Sequence, residues 1–205
     1  AALEERVQER TARLRDSYQA VIRALARAAV YKDNETGNHI MRIGETAALM
    51  ARQIGAPETW VELLRLAAPM HDVGKIGIPD HILLKPGKLT PEEFDIMTQH
   101  ARIGHAILAD RGHSSLLKLA AEIALNHHEK WDGSGYPNGL KGEQISVEGR
   151  IVAIADVFDA LTSKRPYKEA WGVEEALEHM QAQARKHFDP HLINLFVNKL
   201  DAIIA

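Results

Sequence analysis

Most of this sequence repeats its apolar residues at the spacing of an α-helix, and Gly or Pro residues separate one such segment from the next. Spacings of three or four residues place apolar side chains on one helix face. The apolar run from Ile151 to Leu161 is also better explained as a helix, because it is long for a strand. The sequence therefore predicts an all-α fold, with helices over residues 3–31, 40–55, 57–70, 91–110, 114–128, 148–163, 173–186 and 190–204.

Several of these helices carry start signals. Thr90, followed by Pro91 and Glu93, predicts a capping box with Pro at the first helical position. Pro57 is predicted in the first turn of its helix, and Pro190 at the start of the last one. After residue 35 the sequence contains no repeat, low-complexity tract or linker. We therefore predict one domain over residues 32–205.

Residues 3–31 contain neither Pro nor Gly and predict one long amphipathic helix. The apolar residues that recur every seven positions are Val7, Leu14, Val21 and Ala28. A coiled coil would need a second set of apolar residues between these positions. The residues there are mostly polar or small, so a strong coiled coil is not expected. Two interpretations stay open for residues 1–31: a helix that connects an upstream domain, or a weak coiled coil that forms a homodimer.

Composition excludes several classes of function. The 205 residues include 25 Lys and Arg against 28 Asp and Glu, a formal net charge of −3, so we expect no DNA or RNA partner. The absence of Cys excludes disulfides, thiolate nucleophiles and Cys-bound metals. Without Cys, any metal site must use nitrogen and oxygen ligands, and the 11 His can supply the nitrogen.

The sequence shows neither an apolar run long enough to span a membrane nor a signal peptide. We therefore expect a cytoplasmic chain. Because it begins without Met inside a helical pattern, we also expect it to be part of a longer protein with an upstream sensory, receiver or membrane domain.

Histidines and carboxylates recur at intervals of about one helix plus one connection. Glu35 and His39 are four residues apart, which places both on one helix face. Asp156 lies in an apolar helix, where a carboxylate is costly to bury unless a cation or hydrogen-bond donors meet it. The candidate metal ligands are Glu35, His39, His71, Asp72, His100, His127, His128 and Asp156.

Five imidazoles with two or three carboxylates are more ligands than one ion needs. Such a set suits two or more divalent ions that share a bridging carboxylate, as in other helical bundles. Iron, manganese, nickel and zinc accept these donors, whereas calcium or magnesium would need more oxygen ligands. Two ions that hold a hydroxide between them can attack phosphorus while they bind the phosphate oxygens.

Each candidate also has an interpretation without catalysis. A single His such as His100 is more often exposed or hydrogen-bonded than a metal ligand. Asp159 competes with Asp156 as the carboxylate of its helix, and we assign Asp159 a structural role. Residues 133–137 would form an ordinary turn, unless Tyr136 stacks on a base. Lys75, Arg165 and Lys168 either face solvent or bind phosphate. The histidines left outside the site are His81, His105, His113, His179, His187 and His191.

Two segments together resemble the defining motifs of the HD-GYP family, a branch of the HD metallohydrolases. They are His71-Asp72-Val73-Gly74-Lys75 and the run from His127-His128-Glu129 to Gly135-Tyr136-Pro137. The resemblance extends over about residues 30–200 and ends at Phe188-Asp189-Pro190. It implies an HD-type helical bundle and a bacterial phosphodiesterase that hydrolyses the second messenger cyclic di-GMP to pGpG or GMP.

The resemblance also implies roles for individual residues. Asp72 matches the ligand that bridges two ions, and Glu35 matches one that recruits a third ion in some members. The implied ions are iron or manganese, with nickel or zinc as alternatives. The residues that match phosphate-contacting positions are Lys75, Arg165 and Lys168. The GYP loop, which is Gly135, Tyr136 and Pro137, matches a substrate-side element that contacts GGDEF domains in some members.

The sequence departs from the family near its C-terminus. We expect a Gly shortly before His187-Phe188-Asp189-Pro190 and find Arg185-Lys186 instead. The departure puts a local turn in question rather than the metal site.

We therefore expect a metal-dependent phosphodiesterase with Asp72 and Lys75 as catalytic residues. Either Lys75 or a metal-bound water would protonate the leaving 3′ oxygen. One alternative is a non-catalytic module that binds a cyclic dinucleotide or a GGDEF partner and transmits its state through the N-terminal helix. Another is the same enzyme with a different cyclic dinucleotide or a phosphomonoester as substrate.

Overall fold

The computed structural model describes residues 2–32, 37–109, 114–164 and 169–204. Within these ranges the chain forms helices and no β-strand, so the predicted all-α class is confirmed. The α-helices are α1 (Ala2–Lys32), α2 (Gly37–Gln53), α3 (Glu58–Ala67), α4 (Asp80–Leu83), α5 (Pro91–Leu108), α6 (Ser115–Asn126), α7 (Val147–Thr162), α8 (Val173–Ala182) and α9 (Pro190–Ile204). Short 3₁₀ segments cover Ala68–Met70, Val73–Gly77 and Gly142–Gln144. None of the described helices combines the length and the apolar character that a membrane span requires.

Hydroxyl side chains fix where three central helices begin. Thr90 accepts a hydrogen bond from the backbone N–H of Glu93, whose carboxylate accepts one from the N–H of Thr90 at 2.8 Å. The predicted capping box at the start of α5 is therefore confirmed. Ser114 and Ser146 cap α6 and α7 in the same way, each by accepting from the N–H three residues later. One such cap stabilises a helix by about 1 kcal/mol.

The central part of the core is formed by α2, α3, α6 and α7. Ile43, Leu64, Ile123 and Ile154, one from each helix, are fully buried. Burial of one such side chain contributes roughly 1.5–3 kcal/mol to stability. Because α2, α6 and α7 also carry or precede candidate ligands, the packing of this core sets the distances between those ligands.

The long helix α1 packs on the core through its C-terminal half. Ile22 and Ala26 are buried, whereas Val7 and Val21 are more than half exposed. The packed face of α1 is therefore different from the face that carries the seven-residue repeat. A separate unit over residues 1–31 and a homodimer through this helix stay predictions.

The structure corrects two details of the predicted helices. Helix α8 ends at Ala182, whereas the sequence predicts an end at residue 186. The reason is a turn in which Arg185 has a backbone φ of 67°, which an α-helix cannot contain. Pro57 lies just before α3 and not inside its first turn.

Candidate metal centre

Three helices and two connections bring the candidate ligands together. His39 lies near the start of α2, His100 in α5 and Asp156 in α7. His71 and Asp72 lie between the 3₁₀ segments 68–70 and 73–77, and the remaining pair follows the end of α6. Seven predicted ligands form two groups, within each of which the ligand atoms lie within 4.8 Å of one another. The first group is Asp72, His100, His127 and His128, and the second is His39, His71 and Asp156.

The carboxylate of Asp72 lies between the two groups. Its Oδ1 is 3.3 Å from His100 Nε2 and 3.4 Å from His127 Nε2. Its Oδ2 is 3.4 Å from His71 Nε2 and 2.8 Å from Lys75 Nζ. A carboxylate that faces imidazoles of both groups has the position that a bridging ligand requires.

Asp156 connects the two histidines of the second group. Its Oδ1 is 3.7 Å from His39 Nε2 and 3.9 Å from His71 Nε2. The side chain of Asp156 is 21% exposed, so it is not the deeply buried carboxylate that its apolar neighbours suggest. It lies where the cluster reaches solvent.

Backbone carbonyls orient three of the imidazole rings through Nδ1. His71 Nδ1 lies 2.9 Å from the carbonyl oxygen of Ala68. His100 and His127 make the same contact with carbonyls one turn earlier in their helices, at 2.7 and 3.0 Å. An Nδ1–H that donates to such an acceptor leaves the lone pair of Nε2 for a metal ion.

Several ligand atoms of the cluster are buried and form no hydrogen bond within the part of the chain that the structure describes. They include Nε2 of His71, His100 and His127, and Oδ1 of Asp72. A buried polar atom without a partner costs about 1–3 kcal/mol, so a shared partner is expected for these atoms. Nitrogen and carboxylate donors that converge in this way fit divalent metal ions. The residues present therefore fit the metal binding that the sequence predicts.

The electrostatics of the cluster favour an ionised carboxylate beside mostly neutral imidazoles. Burial raises the pKa of Asp72, but the charges of Lys75 and His71 and the nearby imidazoles of His100 and His127 hold that pKa well below its usual range. Burial lowers the pKa of His127 and, together with repulsion from His127, lowers the pKa of His128 much further. For His71, the charge of Asp72 outweighs burial and raises the pKa. Ionised carboxylates and neutral imidazoles are the forms that bind metals.

Asp159 contacts the site through His39 rather than facing the other ligands. Its Oδ2 lies 2.5 Å from His39 Nδ1, and Arg42 donates to the same carboxylate. Burial acts to raise the pKa of Asp159, but the hydrogen bonds from His39 and Arg42 lower it to about 2. An ionised acceptor at Nδ1 fixes the ring of His39 with Nε2 toward Asp156. The structural role assigned from the sequence is therefore the orientation of a candidate ligand.

The GYP loop lies directly against the cluster. The ring of Tyr136 stacks on His128, with centroids 4.7 Å apart and planes at 27°. Burial raises the pKa of Tyr136, so its hydroxyl stays neutral. A Cβ at Gly135 would lie 2.3 Å from the backbone nitrogen of Lys130 and 2.5 Å from the carbonyl oxygen of His128. The loop can therefore approach this closely only with glycine at position 135.

Two residues without a predicted role hold this loop in place. Glu129 is 2% exposed, and its carboxylate accepts from the backbone N–H of Asn138 at 2.7 Å and from a second loop N–H at 2.9 Å. Arg102 of α5 donates to the carbonyl oxygen of Pro137 at 3.0 Å and to the side chain of Asn138 at 2.8 Å. The sequence carries a signal for Glu129, which follows the paired histidines directly. It carries none for Arg102, whose contacts are 35 and 36 residues away.

Three predicted site residues lie outside the described residues: Glu35, Arg165 and Lys168. His113 also lies outside them. Among the described histidines without a predicted role, none joins either group of ligands. These are His81, His105, His179, His187 and His191.

The sequence profile that describes the HD domain matches residues 8–192. The chain belongs to the HD domain family. This membership agrees with the resemblance of its motifs to the HD-GYP branch. It also agrees with the position of His71 and Asp72 at the centre of the cluster.

Comparison with other proteins gives the same assignment to the HD family. A cyclic di-GMP phosphodiesterase of Thermotoga maritima is 50% identical over 177 residues, which are 86% of this chain and 48% of the relative. A 3′3′-cGAMP-specific phosphodiesterase 2 of Vibrio cholerae is 45% identical over 94% of this chain and 37% of the relative. The crystal structure of a cyclic GMP-AMP specific phosphodiesterase of V. cholerae has the same fold, with a TM-score of 0.66 at 19% identity over 90% of this chain and 48% of that one. This HD-family chain thus spans less than half of the length of each of these proteins.

Proposed function

We propose that this chain is the hydrolytic domain of a phosphodiesterase that cleaves cyclic di-GMP. The observation that carries the proposal is the position of Asp72, whose carboxylate faces buried imidazoles of both groups and the ammonium of Lys75. The relative from T. maritima, whose name states this activity, supports the choice of substrate. Histidine and carboxylate sites of this kind suit the hydrolysis of phosphate esters.

We infer that each of the two groups would hold one divalent ion, with Asp72 as a ligand available to both. Iron or manganese are the ions expected first, with nickel or zinc as alternatives. Bound ions would supply Lewis acidity toward the phosphate oxygens and would lower the pKa of a water molecule. A third ion at Glu35 stays a prediction.

We propose that Lys75 acts on the substrate. Hydrolysis adds a water oxygen to phosphorus and breaks the bond from phosphorus to the 3′ oxygen, which takes up a proton. The Nζ of Lys75 lies 2.8 Å from Asp72 Oδ2, beside the candidate ligands, and this supports a role for its positive charge in neutralising phosphate charge. Its ammonium is our candidate donor to the 3′ oxygen. Arg165 and Lys168 stay predicted phosphate contacts.

The test is turnover of cyclic di-GMP by the chain after reconstitution with Mn²⁺, or with Fe²⁺ without oxygen. We expect pGpG from the first cleavage and GMP from the second, separated by chromatography. Asp72→Asn keeps the volume of the side chain but removes its charge, and it should abolish turnover. An active Asp72→Asn variant with unchanged metal content would contradict the proposed role of Asp72.

The same assay separates the two alternatives. Binding of cyclic di-GMP without turnover in iron, manganese, nickel and zinc would favour the non-catalytic module. Faster turnover of 3′3′-cyclic GMP-AMP than of cyclic di-GMP would favour the substrate named for the V. cholerae relative. Comparable rates would assign both cyclic dinucleotides to this site.

The wider interactions of the protein also stay proposals. The contact of the GYP loop with a GGDEF domain, which the family resemblance implies, stays a proposal. A homodimer through α1 and a cytoplasmic location are likewise expectations from the sequence.

A further inference from the structure

Phe94 differs from the other exposed apolar residues of α5. Its side chain is 48% exposed, and Ile96 and Ile107 on the same helix are exposed to a similar extent. Isolated apolar residues on a surface are common and need no function. Phe94, however, contacts the GYP loop: its ring lies 5.9 Å from that of Tyr136, at an interplanar angle of 87°.

A continuous series of rings leads from the buried cluster to Phe94. His127 and His128 have centroids 4.0 Å apart, and His128 stacks on Tyr136 at 4.7 Å. Phe94 is the next ring in this series and the most exposed one. The series therefore runs from the buried ligands to a ring that solvent can reach.

The position of Tyr136 makes Phe94 the better platform for a base. One face of the Tyr136 ring is covered by His128, so that face is not accessible to a ligand. Phe94 keeps about half of its surface exposed to solvent. The capping box at Thr90 holds the first turn of α5, and the N–H of Phe94 itself donates to the carbonyl of Thr90 at 2.8 Å. The ring is thus presented by a fixed backbone.

We propose that Phe94 is a base-stacking residue that binds a purine of the cyclic dinucleotide. The proposal rests on the proposed function for the identity of the substrate. Stacking of a base on an aromatic side chain requires only an exposed ring face and tolerates different bases. Phe94 would therefore add affinity for purine nucleotides without selecting guanine over adenine.

The test compares two small ligands that differ in the base. The full chain is loaded with Mn²⁺, and its dissociation constants for GMP and for ribose 5-phosphate are measured by calorimetry. Phe94→Leu keeps an apolar side chain without a ring, and we expect it to weaken GMP binding about tenfold. Binding of ribose 5-phosphate should stay within about twofold. Phe94→Trp should restore GMP binding, and Ile107→Ala, at the other end of α5, should change neither constant.

Cyclic di-GMP turnover distinguishes this proposal from the proposed function. We expect Phe94→Leu to raise KM about tenfold with kcat within about twofold and with unchanged metal content. Equal loss of both ligands, or loss of bound Mn²⁺, would show that Phe94 only supports Tyr136 and would overturn the stacking role. If the wild type hydrolyses cyclic di-GMP but Phe94→Leu binds GMP as tightly as the wild type does, only the stacking role is rejected. If Phe94→Leu weakens GMP binding but the wild type does not hydrolyse cyclic di-GMP, only the proposed function is rejected.

Discussion

Asp159 lies on α7 three residues after Asp156, and its carboxylate binds both His39 and Arg42. The two acidic residues have different roles. Asp156 faces the histidines of the second group, whereas Asp159 orients His39. The sequence identifies both as candidates but contains no sign of the contact with His39, which lies 120 residues away.

We predict that Asp159→Asn weakens metal binding by about 10- to 100-fold, the usual effect of losing an acceptor behind a metal-bound imidazole. The amide keeps the volume of the side chain but removes the charge that fixes His39. Competition with a metal chelator measures the change. Ser163→Ala is the matched control, since it removes another partner of Asp159 and leaves the contact with His39 intact. Equal affinities of Asp159→Asn and wild type would exclude this role.

Gly74 shows why a glycine stands between His71-Asp72 and Lys75. A Cβ at this position would lie 1.9 Å from the carbonyl oxygen of His100 and 2.4 Å from the backbone nitrogen of Gly104. The segment that carries Asp72 and Lys75 therefore packs against the backbone of α5 itself.

We predict that Gly74→Ala lowers the free energy of unfolding by about 3 kcal/mol or more, because backbone atoms cannot yield to the added methyl group. Urea titration measures the loss. Gly77→Ala should cost much less, because its Cβ would meet only the flexible side chain of Ile103, at 3.0 Å. A Gly74→Ala variant as stable as Gly77→Ala would contradict the packing described here.

At the scale of the elements, the helix starts were predictable and some of the ends were not. Thr90 at the start of α5 carries its signal within four residues, because a capping box is a local structure. The end of α8 depends instead on a turn in which the N–H of Arg185 donates to the carbonyl of Phe188 at 3.0 Å. Helical periodicity cannot show such a turn, although the missing family Gly at this position pointed to it.

We predict that Arg185→Gly stabilises the protein by about 0.5–1 kcal/mol. Arg185 has a φ of 67°, a conformation that costs a non-glycine residue about 1 kcal/mol or more and glycine very little. Urea unfolding with an unchanged m-value is the measurement. Arg185→Ala keeps the strained backbone and should give no gain, so equal stabilities of the two variants would refute the explanation.

At the scale of the whole molecule, the C-terminal end of α1 is attached to the segment that follows the candidate site residue Lys75. Lys32, the last residue of α1, donates to the carbonyl oxygens of Ile76 and Ile78 at 2.8 and 2.7 Å, and its ammonium lies 3.3 Å from the carboxylate of Asp80. These acceptors directly follow Lys75 in the chain. The sequence gives no sign of this contact, because 44 to 46 residues separate the lysine from the two carbonyls.

We predict that Lys32→Met destabilises the chain by about 1–3 kcal/mol, because the two carbonyl oxygens lose their donor. Denaturant unfolding measures the loss, and limited proteolysis should show faster cleavage within α1. Lys199→Met, on the exposed side of α9, is the control and should have no effect. Unchanged stability and protease resistance of Lys32→Met would contradict an anchoring role.

The general outline of the candidate metal site was predictable, since the motifs carried the residue types and helix-length intervals placed them on successive elements. The arrangement of Asp72 between two groups was implied only by the resemblance, because periodicity does not fix how helices cross. The Tyr136 ring over His128, the Glu129 anchor of the loop and the exposed ring of Phe94 depend on contacts between separate elements.

We propose that Asp72 and the imidazoles around it form a metal-dependent phosphodiesterase site. The most direct test is the rate of cyclic di-GMP hydrolysis while Mn²⁺ is added stepwise to metal-free protein. We predict no hydrolysis without metal and a rate that reaches its maximum near two bound ions per chain, as counted by elemental analysis. Full hydrolysis by metal-free protein, or none when the ions are bound, would contradict it.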